Sequence, residues 1–366
     1  MSATAPVVDA DGHVEEDIGW IIRQLPDSVR PLAPSMRKEA DGSITNLIEG
    51  RPWKPDFAFP RGKATHTSAG GEVRTGGRDP VERLAVLDAE GIDVAVLYPS
   101  VALMFGLYTD PVAAAALCAA ANDWTASFCA TDPRRLAAVA TLPQQDPTLA
   151  VAELERCVEQ HGFVGGLIRP NRIGGRTVDS PDFDVLWAAA EALDVPIVCH
   201  EAYIGSAIDT VGHDRVSSYA GAHIISHPLE QMMAMLGVAL SGILARFPQL
   251  RLGFFEAGCS WAPYWVERIE EHHELAPDDY AGGSVDGVLP ARTWLTFEVD
   301  ERGVEFAASC GWSANICFAS DYPHFDATFP GAVQVVRDRG FEPALRDALL
   351  GGNALAFYGE RLMRRV

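Results

Sequence analysis

The feature that most constrains this chain is a regular alternation of short apolar runs with longer stretches of helical periodicity. Eight runs have the continuous apolar character of parallel strands that are covered on both faces. They span residues 7–13, 94–99, 136–142, 164–169, 196–200, 250–256, 294–299 and 316–321. Helical stretches alternate with them at residues 81–90, 111–131, 148–160, 183–193, 229–247, 262–274 and 304–310. Eight such units predict an α/β fold, a (β/α)8 TIM barrel.

A barrel of this kind accommodates all 366 residues as one domain, with three extra helices near the end at residues 332–339, 342–350 and 353–361. Residues 15–78 interrupt the alternation, because they carry many Pro, Gly and charged residues and little periodicity. This segment also contains all three lysines of the chain, Lys38, Lys54 and Lys63. We interpret it as an insertion after the first strand that lies over the catalytic face. A disordered surface loop is the alternative.

The charge of the chain excludes several classes of partner. Asp and Glu number 50 against 29 Lys and Arg, which gives a net charge of −21. Nucleic acids and anionic membranes both need basic surface, so neither is an expected partner. The longest apolar stretch, residues 232–245, is 14 residues long, short of the roughly 20 that span a bilayer. Seven scattered cysteines without a CxxC pair, and no secretory signal, predict reduced thiols and a cytoplasmic location.

Ionisable residues concentrate where the predicted strands end, the edge at which barrel enzymes place their sites. Asp11 and His13 close the first strand, His200 closes the fifth and Asp321 closes the eighth. Residues two apart on a strand share a face, so Asp11 and His13 can point into the barrel mouth together. Taken singly, each fits a turn residue or a core histidine. Together they predict a site for one divalent cation, zinc, manganese or ferrous iron.

The segment between the fifth and sixth strands suggests an acid–base residue. Pro228 fits the first turn of a helix, which puts His227 at the helix N-terminus and Glu230 about one turn further on. The helix dipole there disfavours a charged imidazole, so His227 is expected to be neutral and available as a proton acceptor. A helix cap without chemistry is the alternative.

Four further residues are candidate substrate contacts. Arg169, after the fourth strand, either holds a substrate carboxylate with its fork of donors or forms a structural ion pair. Glu256, after the sixth strand, either supports the metal ligands or faces the substrate. Trp261 either walls an apolar pocket or belongs to the core. His324 lies in the motif that follows the eighth strand.

Several motifs, in this order, resemble the amidohydrolase superfamily: Asp-x-His at the first strand, His200, His227-Pro-x-Glu, residues 255–258, Ser-Asp-Tyr-Pro at 320–323 and the terminal stretch 353–359. The most similar branch includes aminocarboxymuconate-semialdehyde, γ-resorcylate and 5-carboxyvanillate decarboxylases. The resemblance covers nearly the whole chain except the insertion. It implies a mononuclear metal site with Asp11, His13, His200 and Asp321 as ligands, His227 as the acid–base residue and Glu230 as a carboxylate that steadies or serves the site.

Two details refine the expected cofactor. Many members of the superfamily begin His-x-His, whereas this chain has Asp11 in the first position. The extra carboxylate makes the site harder and favours manganese or iron over zinc. Binuclear members use a carboxylated lysine at the end of the fourth strand, but that strand ends in Arg169 here and all three lysines lie in the insertion. One metal ion per chain is therefore expected.

Two chemistries fit this set of residues. Hydrolysis would use a metal-activated water, whose proton His227 or Asp321 moves, to cleave an ester, thioester, lactone or amide of a small, partly apolar carboxylic-acid-type substrate. Non-oxidative decarboxylation would act on an aromatic or unsaturated carboxylic acid. Asp11 and Arg169 favour decarboxylation, whereas the lack of a second obvious carboxylate clamp favours hydrolysis, and we predict hydrolysis. A barrel that only binds partners would have broken ligands, yet all four are present. The apolar helix at 232–247 further predicts a homodimer.

Overall fold

Eight parallel strands, each hydrogen-bonded to its neighbours in chain order, frame the molecule. The computed structural model describes residues 5–42, 44–53, 57, 75–205, 208–324 and 327–366. The strands of these residues are β1 (Val8–Val14), β2 (Ser35–Lys38), β3 (Ile44–Ile48), β4 (Arg51–Trp53), β5 (Val94–Pro99), β6 (Leu136–Thr141), β7 (Gly165–Ile168), β8 (Ile197–His200), β9 (Leu252–Phe255), β10 (Thr293–Phe297) and β11 (Ile316–Phe318).

The barrel consists of β1 and β5 to β11, in the order β1-β5-β6-β7-β8-β9-β10-β11. Backbone hydrogen bonds join its two ends beyond β11: the amide of Asp321 donates to Asp11 at 3.1 Å, and that of His13 donates to Tyr322 at 2.7 Å. Nearly every residue of the barrel strands is buried, which explains why these strands read as continuous apolar runs. The eight predicted strands and the (β/α)8 barrel are confirmed.

Helices surround the barrel and follow it to the C-terminus. They are α1 (Ile18–Gln24), α2 (Pro80–Glu90), α3 (Pro111–Cys129), α4 (Pro147–Arg156), α5 (Asp184–Ala192), α6 (Tyr219–Ser241), α7 (Ile243–Arg246), α8 (Ala262–Leu275), α9 (Val288–Arg292), α10 (Val304–Ala307), α11 (Ala332–Asp338), α12 (Pro343–Asp347), α13 (Asn353–Tyr358) and α14 (Glu360–Met363). Helices α2, α3 and α4 each begin with an Asp cap followed by Pro, since the carboxylate accepts orphan amides and proline fits the first turn.

Helix α6 differs from the sequence prediction. It begins at Tyr219, ten residues before the predicted start, with Ser218 as its cap, and Pro228 lies inside it. The prediction that His227 occupies a helix N-terminus is therefore wrong. Pro228 lacks an amide hydrogen, and a proline in mid-helix looks the same in sequence as one at the first turn. Of the helices in the described part of the chain, none is both long and apolar enough to cross a membrane.

The described part of the 15–78 segment carries more structure than its composition suggests. Helix α1 and the small antiparallel sheet of β2, β3 and β4 belong to it. Its apolar residues, including Ile21, Leu25 and Ile48, pack against the loop after β5 and against α3. Lys54 and Lys63 lie outside the described residues. The position of the segment over the catalytic face stays a prediction, and so does the single domain of residues 1–366.

Glu16 fastens the start of this segment to the barrel. Its buried carboxylate accepts hydrogen bonds from three successive backbone amides after β5, those of Ser100, Val101 and Ala102, at 2.9–3.0 Å. Burial raises the pKa of the Glu16 carboxyl, and the three donors offset part of this cost. The loop after β5 is thereby fixed next to the end of β1.

Gln231 joins the ends of two strands. This fully buried side chain on α6 donates to the carbonyl of Cys199 at 2.8 Å and to that of Phe255 at 2.7 Å. Cys199 immediately precedes His200, and Phe255 immediately precedes Glu256. The contact therefore sets the spacing of β8 and β9 at the ends where His200 and Glu256 lie.

We predict that Gln231→Leu lowers the free energy of unfolding by about 2–4 kcal/mol, because it leaves two buried carbonyl groups without donors. Denaturant unfolding followed by circular dichroism measures the change. Gln334→Leu on the exposed face of α11 is the matched control and should change stability by less than about 0.5 kcal/mol. Equal effects of the two substitutions would contradict the role given to Gln231.

Candidate metal site

Four side chains converge at the C-terminal mouth of the barrel. One ligand atom from each of Asp11, His13, His200 and Glu256 lies within 4.8 Å of all the others. Asp11 Oδ1 is 3.6 Å from His13 Nε2 and 3.3 Å from His200 Nε2. Glu256 Oε2 is 3.9 Å from His13 Nε2 and 3.5 Å from His200 Nε2. Metal bonds of about 2.0–2.2 Å separate neighbouring ligand atoms by roughly 3–3.6 Å, so these spacings suit one cation.

The backbone fixes the tautomer of both histidines. His13 Nδ1 donates to the carbonyl of Pro99 at 3.0 Å, and His200 Nδ1 donates to the carbonyl of Glu201 at 2.8 Å. A carbonyl oxygen can only accept, so the proton of each neutral ring resides on Nδ1. The lone pair of Nε2 then points at the other ring and at Asp11, which is the arrangement of metal-binding histidines.

The same atoms lack protein partners. Within the described part of the chain, His13 Nε2, His200 Nε2 and both carboxylate oxygens of Asp11 are buried and accept or donate no hydrogen bond. Buried polar atoms are nearly always satisfied, so four orphans in one place need an explanation. A hard divalent cation fits this donor set of two imidazoles and two carboxylates.

Asp321 lies at the edge of this cluster. Its Oδ1 is 3.5 Å from His13 Nε2 and 2.6 Å from His324 Nδ1. The opposite nitrogen of His324, Nε2, is 3.0 Å from the hydroxyl of Ser100. Asp321 forms a second group of potential ligands with His13, Glu256 and His324, and this group does not include Asp11 or His200.

Glu256 and Asp321 share an unusual backbone conformation. Their φ angles are +63° and +51°, in the left-handed region that residues other than glycine rarely occupy. Each follows the end of a barrel strand, β9 for Glu256 and β11 for Asp321. Such strain concentrates at functional sites, where the surrounding structure holds it in place.

Two buried groups hold the ends of β1 and β11 together. The Asp9 carboxylate accepts from the amide of Ser320 at 2.9 Å and from its hydroxyl at 2.5 Å. Arg83, fully buried on α2, donates to the carbonyls of His13 and Tyr322 and lies over the Tyr322 ring. These contacts fix Asp11 and His13 relative to Asp321. Sequence analysis did not single out Asp9 or Arg83, and both are fully buried in the structure.

His227 borders a cavity of about 280 Å³ that Glu256, one member of the cluster, also lines. The cavity is lined on one side by His223 and His227 and on the other by Glu256 and Asp321. His227 Nδ1 lies 3.0 Å from the Ser226 hydroxyl and 3.3 Å from the backbone carbonyl of residue 223. The structure thus brings His227 to the same cavity as Glu256 and Asp321. His227 reaches it from the middle of α6 and not from a helix N-terminus.

His223 was missed in the sequence analysis. It lies four residues before His227 on α6, and the two rings are 4.7 Å apart between centroids. Residues four apart share a helix face, so the spacing would have indicated the pair had the helix been extended to Tyr219.

Burial governs the protonation of these groups. Desolvation lowers the pKa of His227 to about 4, so the imidazole is neutral at pH 7. The neutrality expected for His227 therefore has burial as its cause, and the helix dipole does not enter. Desolvation also raises the pKa of Asp11 to about 6 and lowers that of His13 to about 3.

Arg169 is engaged with protein groups. Its guanidinium donates to Glu201 at 2.9 Å, to Asn171 at 2.9 Å and to the carbonyl of Ala202 at 2.7 Å. The side chain is 3% exposed. Of the two alternatives for Arg169, the contacts correspond to the structural ion pair, since its donors are taken up inside the protein.

Glu230 and Trp261 lie apart from the cluster. Glu230 accepts from the amide of Val211 at 2.6 Å and borders a different cavity, beside Val211 and Met233. Trp261 packs in the apolar core and donates to the carbonyl of Gly258 at 3.0 Å. Glu230 thus fastens the loop before α6, and Trp261 corresponds to the core alternative.

A parallel barrel with a buried cluster of imidazoles and carboxylates at its C-terminal mouth defines a metal-dependent barrel enzyme. Residues 8–359 match the amidohydrolase family, and the chain belongs to this family. A 2-amino-3-carboxymuconate-6-semialdehyde decarboxylase of Dictyostelium discoideum is 28% identical over 287 residues, 77% of this chain and 77% of that protein. A γ-resorcylate decarboxylase of Rhizobium radiobacter is 37% identical over 123 residues, 32% of this chain and 37% of that protein. The predicted branch of the superfamily is confirmed.

Solved structures agree with the fold. An amidohydrolase from Mycobacterium avium subsp. paratuberculosis superposes with a TM-score of 0.80 at 20% identity, covering 98% of this chain and 99% of that one. The 5-carboxyvanillate decarboxylase of Novosphingobium aromaticivorans, solved with manganese and a nitrobenzoic acid, superposes with a TM-score of 0.69 at 20% identity, covering 96% of each chain. At this identity the similarity is one of fold.

These relatives correct the main functional prediction. Hydrolysis of an acyl bond is wrong, because the relatives of Dictyostelium discoideum and Rhizobium radiobacter are named as decarboxylases, which supports the alternative of metal-dependent decarboxylation. The residues that led to the prediction, imidazoles and carboxylates at strand ends, serve both chemistries equally. They carry no information about whether the bond that breaks joins carbon to a heteroatom or to a carboxylate carbon.

We predict that His227 contributes to acid unfolding. Its pKa is about 4 in the folded chain against about 6.5 in the unfolded chain, so the unfolded state binds more protons between these values. Stability from this group is present above pH 6.5 and is lost as the pH falls towards 4. In denaturant unfolding with a chelator present, His227→Gln should lose less stability than the parent between pH 6.5 and pH 4.5. Parallel pH profiles would show that folding does not lower the pKa of His227 and would contradict the prediction.

Proposed function

We propose that this protein is a metal-dependent non-oxidative decarboxylase of an aromatic or unsaturated carboxylic acid, with one divalent metal ion per chain. The observation that carries the proposal is the buried cluster of Asp11, His13, His200 and Glu256, in which the ligand atoms of the first three residues lack hydrogen bonds to the described residues. Its member Glu256 lines a cavity of about 280 Å³. The decarboxylases among its relatives supply the reaction class. Manganese is the metal with which one structural relative was solved, and the hard donor set here suits it.

The metal would be held by Asp11, His13 and His200 together with a carboxylate, for which Asp321 was predicted from sequence. When bound, a divalent cation supplies a positive charge that fixes the substrate's oxygens at the barrel mouth. The cavity then places the rest of a small planar acid against Ile224 and Phe297 on its apolar walls. A single ring with small substituents fits a space of this size.

Proton transfer falls to Asp321 and His227, which both border the cavity. Decarboxylation replaces a carbon–carboxylate bond with a carbon–hydrogen bond. The carboxylate group leaves as CO2, and one proton must reach the carbon that carried it. We assign its delivery to the carboxyl group of Asp321. His227 is neutral and accepts a proton from a substrate hydroxyl, which raises the electron density of the carbon that is protonated, and it returns that proton when the ring system is restored.

Glu230 has a supporting role in this proposal. Its carboxylate holds the amide of Val211 and therefore fixes the loop between β8 and α6. The position of that loop determines how α6 presents His227. Arg169 likewise supports the site through Glu201, which directly follows His200.

Two properties of the whole protein stay predictions. We propose a homodimer, supported by Met233 on α6, whose side chain is 47% exposed. A sedimentation experiment at micromolar concentration tests it, and a monomer would contradict it. The cytoplasmic location is supported by the seven cysteines, all free in the structure.

The activity test measures CO2 release and acid release side by side. With Mn²⁺ present, hydroxybenzoic acids such as 2,6-dihydroxybenzoate should release CO2, whereas aryl esters and thioesters should release no acid above background. Removing the metal with a chelator should abolish CO2 release, and added Mn²⁺ should restore it. Acid release from esters without CO2 release from any carboxylic acid would overturn the proposal.

A pair of variants separates proton transfer from metal binding. His227→Asn should keep the metal and lose about 10²–10⁴-fold in kcat, because a positioned acid–base group is lost. His200→Asn should lose both metal and activity. His272→Asn, on an exposed face of α8, is the control and should resemble the parent. A metal-free His227→Asn protein, or one with nearly parental turnover, would show that His227 does not have this role.

A further inference from the structure

A fully buried serine lies directly before the acid–base histidine of α6. The hydroxyl of Ser226 is 3.0 Å from Nδ1 of His227. We infer that Ser226 is a positioning residue, which fixes the proton of the neutral His227 ring on Nδ1 and thereby leaves Nε2 as the nitrogen that accepts a proton. The inference deepens the proposed function, because the part of His227 in proton transfer rests on that proposal.

The first argument is the set of hydrogen bonds among three neighbouring groups. The Ser226 hydroxyl donates to the backbone carbonyl of His223 at 3.2 Å, so its proton is committed and its oxygen can accept. His227 Nδ1 lies 3.0 Å from that oxygen and 3.3 Å from the same carbonyl. A carbonyl oxygen can only accept, so these contacts need a proton on Nδ1. A neutral imidazole carries one proton, and Nε2 therefore keeps its lone pair.

The second argument is that this turn of α6 holds the ring in one orientation. A buried hydroxyl needs hydrogen-bond partners, and Ser226 finds both of its partners within the same turn. Pro228 lacks the amide that a regular helix would use to bind the carbonyl of Ile224, so side-chain hydrogen bonds supplement the backbone here. The ring of His223, 4.7 Å from that of His227 between centroids, packs beside it and restricts its rotation.

The third argument concerns the charge that His227 gains during the reaction. When Nε2 takes the proton of a substrate hydroxyl, the ring becomes an imidazolium and Nδ1 keeps its own proton. Burial opposes this charge: desolvation lowers the pKa of His227, and the hydrogen bond to the carbonyl of residue 223 acts in the other direction. Hydrogen bonds from a charged donor are stronger than neutral ones, so this carbonyl and the Ser226 oxygen stabilise the imidazolium until Nε2 returns the proton.

The tautomer of His227 is measured by NMR of protein that carries ¹⁵N-labelled histidine, because protonated and unprotonated ring nitrogens differ in chemical shift. The protein is loaded with diamagnetic Zn²⁺ in place of Mn²⁺, and the signals of His227 are assigned by their loss in His227→Gln. The parent protein should carry the proton on Nδ1 at neutral pH. Ser226→Ala should shift the ring partly to the form protonated at Nε2. Ser226→Thr keeps a hydroxyl and should restore the parental signals.

The rate of CO2 release is the second readout. Ser226→Ala should lower kcat by about 10–100-fold, the usual effect of removing a group that orients a functional histidine. It should leave KM and metal content nearly unchanged, because the hydroxyl is committed to groups within α6. Ser127→Ala is the matched control and should resemble the parent. Ser127, exposed on α3, also donates to a carbonyl three residues earlier, that of Trp124 at 2.6 Å.

A parent protein with the His227 proton on Nε2 would overturn the inference. So would a Ser226→Ala protein that keeps the parental tautomer, whatever its kcat, or one that changes tautomer and keeps the parental kcat. Ser226→Cys covers the case that Ser226→Ala fails to fold, because a thiol of similar size is only a weak hydrogen-bonding group and should shift the tautomer in the same direction. The NMR readout involves no substrate, so a failure of the proposed decarboxylation would leave the tautomer result interpretable.

Discussion

The closure of β1 onto the segment after β11 is the constraint on which the site depends. Asp11 and His13 come from the first strand, Asp321 and His324 from beyond the last, and only closure brings them together. Two backbone hydrogen bonds make the join, and the Asp9 carboxylate reinforces it by accepting two hydrogen bonds from Ser320. These buried hydrogen bonds lie in a low-dielectric interior, where they are stronger than in water. Breaking one of them leaves a buried polar group without a partner. The barrel and its metal site are therefore one cooperative structure.

The ends of the strands are held by long side chains that reach in from the helices. Arg83 from α2 holds two carbonyls at the join between β1 and β11, and Gln231 from α6 holds two at the ends of β8 and β9. Each of these buried polar side chains has its donors satisfied by backbone carbonyl groups near the ends of strands, which compensates for its burial. The helices thus contribute to the site by positioning backbone, while the strand ends contribute the ligands.

The sequence predicted the barrel because parallel strands leave a strong signal, a continuous apolar run. The ends of those strands also led to Asp11, His13 and His200, whose side chains the structure brings together. Sequence analysis misplaced the start of α6, because the distinction between a proline at a first turn and a proline in mid-helix depends on tertiary packing. It did not group Glu256 with Asp11, His13 and His200, because the left-handed backbone at this residue leaves no mark in a single sequence. The ion pair of Arg169 with Glu201 was open for a similar reason, since the two residues are 32 positions apart. The reaction itself depends on the substrate, and the pattern of residues does not identify the substrate.

The left-handed backbone at Glu256 and Asp321 has a consequence for how such a site changes in evolution. At positive φ the residues with the least steric cost are glycine and asparagine, and neither carries a charge. A mutation that relieves the backbone at either position therefore removes a carboxylate in the same step. Stability and chemistry are opposed at these two positions, so a chain that loses its activity here can become a better-folded barrel. A related chain that has lost its activity in this way can therefore differ from an active one at Glu256 and Asp321 alone.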